Sequence, residues 1–313
     1  MRPILERIRT GETLLADGAL GTLLLGKSGT VPACGLSRFS QELWQGLPLG
    51  SAPESLNLTQ PDVLRDIVRA YQAAGADIFQ ANTFGASPLK LAGHGLAGRT
   101  EELNRTAVEI VRSVVGATGH VWASIGPSGK LLKPYGDTEP QTVYDSFACQ
   151  AGALAGAKPD ILAIETMTDL GEALLAVKAA REFAPGIPVL ASMTYEKRKK
   201  GFFTIMGNSI GQCVQGLAAA GADIVGTNCG NGIEDMILVA RELRVATKLP
   251  ISIRPNAGLP QVEEENVIYP ETPEFMAQRL PQLLNIGISI IGGCCGTTPD
   301  HIRAFRAVLD GRQ

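Results

Sequence analysis

The stretch PDVLRDIVRAYQAAGADIFQA, residues 61–81, contains the unit from which the chain is built. Residues 61–74 have the apolar spacing of an amphipathic helix, and residues 76–81 form a short apolar run typical of a buried strand. The glycine between them ends the helix, and the aspartate opens the turn into the strand. The phrase AGADI returns at residues 220–224, with the variant AKPDI at 157–161. This recurring helix-to-strand junction indicates βα units.

Eight such apolar runs recur along the chain, with amphipathic stretches between them. The predicted strands are residues 13–16, 76–81, 121–125, 161–164, 189–193, 224–227, 251–253 and 289–291. The predicted helices are residues 61–74, 100–115, 142–155, 170–183, 210–219, 233–246, 272–285 and 299–309. Short buried strands that alternate with helices favour a parallel sheet. Eight units fit a closed (β/α)8 TIM barrel, with a doubly wound open sheet as the alternative.

Residues 1–313 are expected to form a single barrel domain, because α/β barrels commonly exceed about 250 residues. Residues 26–58, rich in Gly, Pro and Ser, are too long for an ordinary loop after strand one and predict an elaborated rim or lid. A basic run at residues 197–200 lies close to two phenylalanines. It is interpreted either as a solvated loop or as a docking face for an acidic partner.

Composition and charge exclude several classes of function. The net charge of −3 gives no electrostatic reason to expect nucleic acid or an anionic membrane as a partner. No apolar run reaches the roughly 18 residues of a membrane span, and the N-terminus lacks the apolar region of a secretory signal. We therefore expect a cytoplasmic protein. Because thiols stay reduced there, the six cysteines are better explained as metal ligands, nucleophiles or core residues than as disulfides.

Polar residues that can bind ligands gather at one end of the predicted strands. In a barrel, the loops that follow the strands form one face, and that face holds the functional site. The residues that follow the strands include Asp17, Asn82, Glu165, Asn228, Cys229, Asn256, Cys294 and Cys295. None of the three histidines follows a strand directly. The chemistry is therefore expected to rest on sulfur and carboxylates.

The adjacent cysteines of GGCCGTT, residues 292–298, are the most specific feature. In a regular strand Cys294 and Cys295 would point to opposite faces, but a glycine-rich turn can aim both sulfurs the same way. Cys229 ends the sixth strand, so the three thiols could meet at the rim. Three thiolates with one exchangeable position are typical of a catalytic zinc site, and Asn256 could occupy that position. The alternatives are structural cysteines whose pattern is incidental, and a redox disulfide between the neighbours.

Glu165 and Asp17 are the carboxylates best placed to contact a substrate. A buried carboxylate is costly unless a cation pairs with it, and a substrate ammonium would satisfy Glu165. An internal salt bridge to a residue such as Arg254 is the alternative. Asp17 precedes Gly18 in a tight turn and could instead cap backbone amides. A general base is less needed, because zinc itself lowers the pKa of a bound thiol.

Taken together, these motifs resemble the homocysteine S-methyltransferase family over essentially the whole chain. The matching stretches are DGALGT at 17–22, NLT at 57–59, AGAD at 74–77, NTFGA at 82–86, ET at 165–166, NCG at 228–230, PNAGLP at 255–260 and GGCCGTT at 292–298. The resemblance implies a (β/α)8 barrel in which Cys229, Cys294 and Cys295 bind Zn2+. Asn256 would be the fourth ligand in the empty state. The residues expected around the amine and carboxylate of homocysteine are Asp17, Gly18, Glu165 and Asn228.

The implied activity is transfer of a methyl group to homocysteine, giving methionine. NTFGA, PNAGLP and the stretch GPSGK at 126–130 resemble the branch that forms the first module of cobalamin-dependent methionine synthases. The expected donor is therefore methylcobalamin on a corrinoid protein. That branch continues into further modules, so the chain is either a fragment or a separate subunit. The alternatives are an S-methylmethionine-dependent enzyme, a metal-free lyase or aldolase on the same barrel, and a non-catalytic zinc-bound module.

Overall fold

The computed structural model describes residues 2–25, 47, 50–263 and 266–311. Its central strands are β1 (Leu14–Leu15), β2 (Ile78–Ala81), β3 (His120–Ile125), β4 (Ile161–Met167), β5 (Val189–Met193), β6 (Ile224–Asn228), β7 (Ile251–Arg254) and β8 (Ile290–Ile291). They form one parallel sheet in the order β1-β8-β7-β6-β5-β4-β3-β2. The N–H of Asp17 donates to the carbonyl of Ile78 at 2.9 Å, which joins β1 to β2 and closes the ring. The predicted barrel is confirmed.

Helices surround the sheet and connect successive strands. Those described are Ile4–Arg9, Gly21–Leu25, Leu56–Thr59, Pro61–Ala73, Pro88–Ala92, Thr100–Val115, Pro140–Ala157, Leu170–Phe183, Ile210–Ala220, Ile233–Ala246, Pro273–Ile286 and Pro299–Asp310. The eight predicted helices are all present, and their ends differ from the prediction by no more than two residues. Among the described helices, none combines the length and the apolar character needed to cross a membrane.

The inside of the barrel changes from apolar to polar along the strands. At the N-terminal end, alternate residues of the strands form a core cluster with Ile4: Leu14, Ala16, Ile78, Trp122, Ile161, Ala163, Leu190, Ile224 and Ile290. Side chains alternate between the two faces of a strand, so positions two residues further on also face inward. On four strands these positions are polar: Gln80, Ser124, Glu165 and Ser192. On β7, Ser252 pairs with Ile290 of the cluster, and Arg254 follows two residues later. The polar interior therefore lies at the C-terminal end, beneath the loops that follow the strands.

Two short hairpins extend the loops at this face. Their strands are Glu196–Arg198 with Gly201–Phe203 and Gln261–Glu263 with Asn266–Ile268. The first contains the basic run 197–200, for which a plain loop was one interpretation. The pairing buries Phe202, whereas the basic side chains remain exposed. Both hairpins were missed because each strand has only three residues, too few for a clear alternating pattern.

The predicted rim of residues 26–58 lies mostly outside the described residues. Its final part includes the buried Asn57, at the start of the helix Leu56–Thr59. Nδ2 of Asn57 donates to the carbonyls of Asn82 and Leu103, at 2.9 and 3.0 Å. The NLT motif therefore fastens this segment to the loop after β2.

Candidate metal centre

The structure brings the three thiols of Cys229, Cys294 and Cys295 together at the C-terminal mouth of the barrel. Their sulfur atoms all lie within 4.8 Å of one another, and Sγ of Cys229 is 3.8 Å from Sγ of Cys295. Zinc–sulfur bonds of about 2.3 Å in a tetrahedron place two sulfurs roughly 3.8 Å apart. The observed spacing therefore fits a single metal ion.

Backbone hydrogen bonds between neighbouring loops hold these thiols. Cys229 has a φ of 62°, in the left-handed region that few non-glycine residues adopt. Its N–H donates to the carbonyl of Arg254 at 3.2 Å, and the N–H of Cys294 donates to the carbonyl of Pro255 at 2.8 Å. The carbonyl of Cys295 accepts from Ala257 at 2.9 Å. The loop after β7 thus bonds to both segments that carry cysteines.

Two glycines of the GGCCGTT turn leave no room for a side chain. A Cβ on Gly293 would lie 2.1 Å from Oγ1 of Thr297, and one on Gly296 would lie 2.1 Å from the ring of Tyr269. Gly296 also has a φ of 79°. Oγ1 of Thr297 donates to the carbonyl of Cys294 at 2.7 Å and so closes the turn. Small residues here allow both sulfurs to face the same cluster.

We expect Gly296→Ala to lower the free energy of unfolding by about 1–3 kcal/mol, because the positive φ and the ring of Tyr269 both oppose a Cβ. Urea denaturation measures this change. The matched control is Gly152→Ala, in the helix Pro140–Ala157, where a Cβ would meet nothing within 4 Å. In a helix, alanine should raise stability by roughly 0.5–1 kcal/mol. Equal stability of the two variants would show that the turn accepts a side chain.

The close thiols change each other's ionisation. Hydrogen bonds from the thiols of Cys294 and Cys295 lower the pKa of Cys229 to about 3. The contact with Cys229 raises the pKa of Cys294 to about 11, and it raises the pKa of Cys295 far above its ordinary value. Near neutral pH the cluster therefore holds one thiolate and two protons. A divalent cation would displace those protons, because metal ligation requires thiolates.

Asn256 offers an unsatisfied acceptor beside the thiols. The residue is 4% exposed, and its Oδ1 has no hydrogen-bond partner among the described residues. Its side chain also helps to lower the pKa of the Cys229 thiol. A buried acceptor without a partner costs about 1–3 kcal/mol, which a bound cation would offset. Three thiolates with a weak oxygen ligand suit zinc, so the residues present fit this metal.

Asn228 is engaged within the protein. Its Oδ1 accepts from the N–H of Thr166 at 2.8 Å, and its Nδ2 donates to Oγ1 of Thr166 at 2.7 Å. Nδ2 also lies 3.8 Å from Sγ of Cys294. Asn228 therefore links the end of β4 to the thiol cluster. Its contact with homocysteine stays a prediction.

A buried cluster of charges lies in the polar interior of the barrel. Nη1 of Arg254 donates to Oε2 of Glu165 at 2.8 Å, and Nη2 lies 3.7 Å from Oδ1 of Asp17. The internal salt bridge to Glu165, which the sequence left open, is therefore present. Burial raises the pKa of Glu165 and raises the pKa of Asp17 to about 7, although Arg254 opposes both shifts. Two carboxylates share one guanidinium, so Arg254 balances the charge of only one of them.

Asp17 and Gly18 also have structural contacts. Oδ2 of Asp17 accepts the N–H of Gln80 at 2.7 Å, and its carbonyl accepts the N–H of Gly293 at 3.0 Å. The capping role considered for Asp17 is thus observed. A Cβ on Gly18 would lie 2.7 Å from the hydroxyl of Tyr71, so only glycine fits without a shift.

The sequence did not predict that Tyr269 and Arg254 lie beside the thiols. Tyr269 is half-buried, and burial together with the nearby Cys295 and Cys229 raises its pKa to about 12. No motif marks it, because it follows a hairpin that the sequence did not reveal. Arg254 was named only as a possible partner of Glu165. Its place two residues after Ser252, on the inward face of β7, is a signal that could have found it.

The remaining described cysteines lie away from this cluster. Cys213 is buried in the helix Ile210–Ala220, whereas Cys149 is exposed on the helix Pro140–Ala157. Burial raises the pKa of Cys213 to about 11, so this thiol stays protonated near neutral pH. Cys34 lies outside the described residues.

The chain is thus a closed βα barrel with a candidate thiolate metal site at its C-terminal face, above a buried carboxylate–guanidinium cluster. The chain belongs to the homocysteine S-methyltransferase family, whose model matches residues 14–309.

Known proteins resemble the chain in sequence and in fold. The methionine synthases of Mycobacterium leprae and Mycobacterium tuberculosis are 32% and 33% identical to it over 307 residues. These alignments cover 95% of this chain but 24% of each relative, so the chain spans about a quarter of their length. The metallated form of the homocysteine methyltransferase MmuM from Escherichia coli has a TM-score of 0.75 at 23% identity, with 100% of both chains covered. This structural likeness shows a shared fold.

Proposed function

We propose that this chain is a zinc-dependent methyltransferase that moves a methyl group to the sulfur of homocysteine, giving methionine. The observation that carries the proposal is the set of three thiol sulfurs, all within 4.8 Å of one another, at the mouth of the barrel. Membership of the homocysteine S-methyltransferase family supports the substrate class.

Cys229, Cys294 and Cys295 would hold the zinc, and Asn256 is the candidate for the remaining position. A free thiol has a pKa of about 8.5, so only a few per cent is ionised at pH 7. Bound zinc would supply the missing activation by lowering the pKa of the substrate thiol below neutrality. Backbone hydrogen bonds between the loops that carry the cysteines would hold the three protein sulfurs in place around the zinc.

The amino acid end of homocysteine would lie in the polar interior beneath the thiols. We assign this pocket to four residues: Asp17, Gly18, Glu165 and Asn228. Arg254 offsets only one of the two buried carboxylates. A substrate ammonium would supply the second positive charge, and a buried carboxylate without a partner is costly. The charge balance therefore favours a substrate with an amino group.

The methyl donor is proposed to be methylcobalamin carried by a corrinoid protein or by another part of the same polypeptide. The two mycobacterial methionine synthases support this choice, because they are similar to the chain over 95% of its length.

The rim of the barrel mouth carries features that suit a macromolecular donor. Four exposed apolar side chains lie in the loops after β5 and β7: Ile205, Leu259, Val262 and Val267. Val262 and Val267 are paired across the hairpin after β7, and neighbouring exposed apolar side chains often mark interaction sites. Lys199 and Lys200 are exposed in the hairpin after β5 and could attract an acidic partner. We propose that the donor protein docks here.

An assay with four donors tests the proposal: methylcobalamin, S-methylmethionine, betaine and methyltetrahydrofolate. We expect turnover of homocysteine with methylcobalamin, and no turnover when L-serine replaces homocysteine. Turnover with S-methylmethionine alone would overturn the choice of donor, but it would still support a homocysteine methyltransferase. No turnover and no bound zinc would favour the metal-free lyase or aldolase. Bound zinc without proton release on addition of homocysteine would favour a non-catalytic module.

The affinity for homocysteine should rise as the pH increases through about 7, because Asp17 has its pKa near that value. Below it the carboxyl is protonated and cannot pair with an ammonium, so KM should rise up to about tenfold per pH unit. KM measured between pH 5.5 and 8.5 gives the profile. Asp17→Asn should lose this inflection and keep a high KM throughout. The same inflection in the variant would assign the titration to another group.

We further propose that residues 1–313 act as one homocysteine-binding domain in the cytoplasm, where the metal-binding thiols stay reduced. The match of the family model to residues 14–309 supports a single domain.

A further inference from the structure

Arg254, the last residue of β7, lies at the centre of the candidate site. It is 3% exposed, and its guanidinium carbon is 5.0 Å from the centre of the Trp122 ring. A guanidinium buried to this extent must be stabilised by partners, since an unpaired charge in the interior is very costly. Its partners therefore indicate what its position depends on.

Arg254 contacts both chain segments that carry the thiols. Its carbonyl accepts the N–H of Cys229 at 3.2 Å. Its Nε donates to the carbonyl of Gly293 at 2.9 Å, one residue before Cys294. One side chain and its own peptide group thus join the loop after β6 to the loop after β8. Because the contact with Cys229 is made by the backbone carbonyl, the guanidinium can affect the spacing of the sulfurs only through the carbonyl of Gly293.

The same guanidinium fixes Glu165. Nη1 donates to Oε2 of Glu165 at 2.8 Å, while Nη2 donates to Oε1 of Gln80 at 3.0 Å. Nε2 of Gln80 in turn donates to the other oxygen of Glu165, Oε1, at 3.3 Å. Arg254 and Gln80 therefore form a frame that holds both oxygens of the carboxylate in one orientation.

We propose that Arg254 is a positioning residue that sets the spacing of the three thiols and orients Glu165 toward the amino group of the substrate. This inference rests on the proposed function, which names the metal and the substrate. Lysine is not equivalent at this position. It carries the charge, but it cannot donate in several directions from one plane, as guanidinium does toward Gly293, Glu165 and Gln80.

The test compares Arg254→Met, Arg254→Lys and the control Arg244→Met in the full chain. Arg244 donates to the carbonyls of Thr247 and Leu249 beyond the helix Ile233–Ala246, away from the thiol cluster. The zinc dissociation constant is measured by competition with a chromophoric chelator. Thermal unfolding, and kcat and KM for homocysteine, are measured on the same samples.

For Arg254→Met we expect the zinc dissociation constant to rise about 10- to 100-fold, as for other residues that orient metal ligands. KM for homocysteine should rise at least about tenfold, because Glu165 loses its orientation. Arg254→Lys should recover part of the KM but little of the zinc affinity. Arg244→Met should change thermal stability alone.

Unchanged zinc affinity in Arg254→Lys, with the fold intact, would overturn the inference. That variant decides the question even if Arg254→Met does not fold. A KM for Arg254→Met equal to that of Arg244→Met would overturn the part that concerns Glu165. If the unmodified chain binds zinc but transfers no methyl group, the proposed function fails, while the zinc comparison still decides the role of Arg254.

Discussion

In a Cys229→Ser variant, we expect bound zinc to fall from about one per chain to almost none, with loss of methyl transfer. Four-ligand structural zinc sites are worth about 10–16 kcal/mol, or roughly 2.5–4 kcal/mol per ligand. Loss of one thiolate should therefore weaken binding by a factor of about 10² to 10³. A site with only three protein thiolates has no ligand to spare. Metal analysis after dialysis against a weak chelator, together with a methyl-transfer assay, measures both effects.

Cys149→Ser is the matched control for this experiment. Cys149 is exposed on the helix Pro140–Ala157, so its replacement removes a thiol without touching the cluster. It should retain full zinc content and activity. Equal zinc content in the two variants would mean that Cys229 is not a ligand. Full methyl transfer by a zinc-free Cys229→Ser protein would instead show that the reaction does not depend on zinc.

The barrel could be predicted from sequence because its signals are local. Each strand is a short run of buried residues, and two of the helix-to-strand junctions carry a glycine and an aspartate at the same places, at residues 74–78 and 220–224. The meeting of Cys229 with Cys294 and Cys295 followed from one further fact, that all strand ends of a barrel lie on one face.

The partners of the buried charges could not be predicted with the same certainty. Glu165 and Arg254 are 89 residues apart, and the sequence around each of them does not indicate which side chain the guanidinium contacts. From the sequence alone, a substrate ammonium and an internal arginine are equally good partners for a buried carboxylate. Only the closed barrel, which places β4 and β7 around the same interior, shows that Arg254 reaches Glu165. Tyr269 could not be predicted for a related reason, since it follows a hairpin with strands of three residues.

For Glu165→Ala, we expect the free energy of unfolding to fall by about 3–5 kcal/mol, because the variant leaves Arg254 buried with one carboxylate at 3.7 Å. Domains of this kind are stable by about 5–15 kcal/mol in total, so the loss should be large enough to approach unfolding. Urea denaturation of the metal-free protein measures it without any contribution from zinc or homocysteine.

The control is Glu109→Ala, which removes the partner of Arg105 on an exposed helical face, where both side chains are more than half exposed. Water screens such a pair, so its loss should change stability little. If Glu165→Ala were as stable as Glu109→Ala, the salt bridge would not account for the buried carboxylate. Glu165 would then be kept for the substrate alone. A large loss of stability combined with a raised KM in the isosteric Glu165→Gln would mean that one carboxylate serves both partners: the arginine holds it in place, and the second positive charge that the pocket still needs comes with homocysteine.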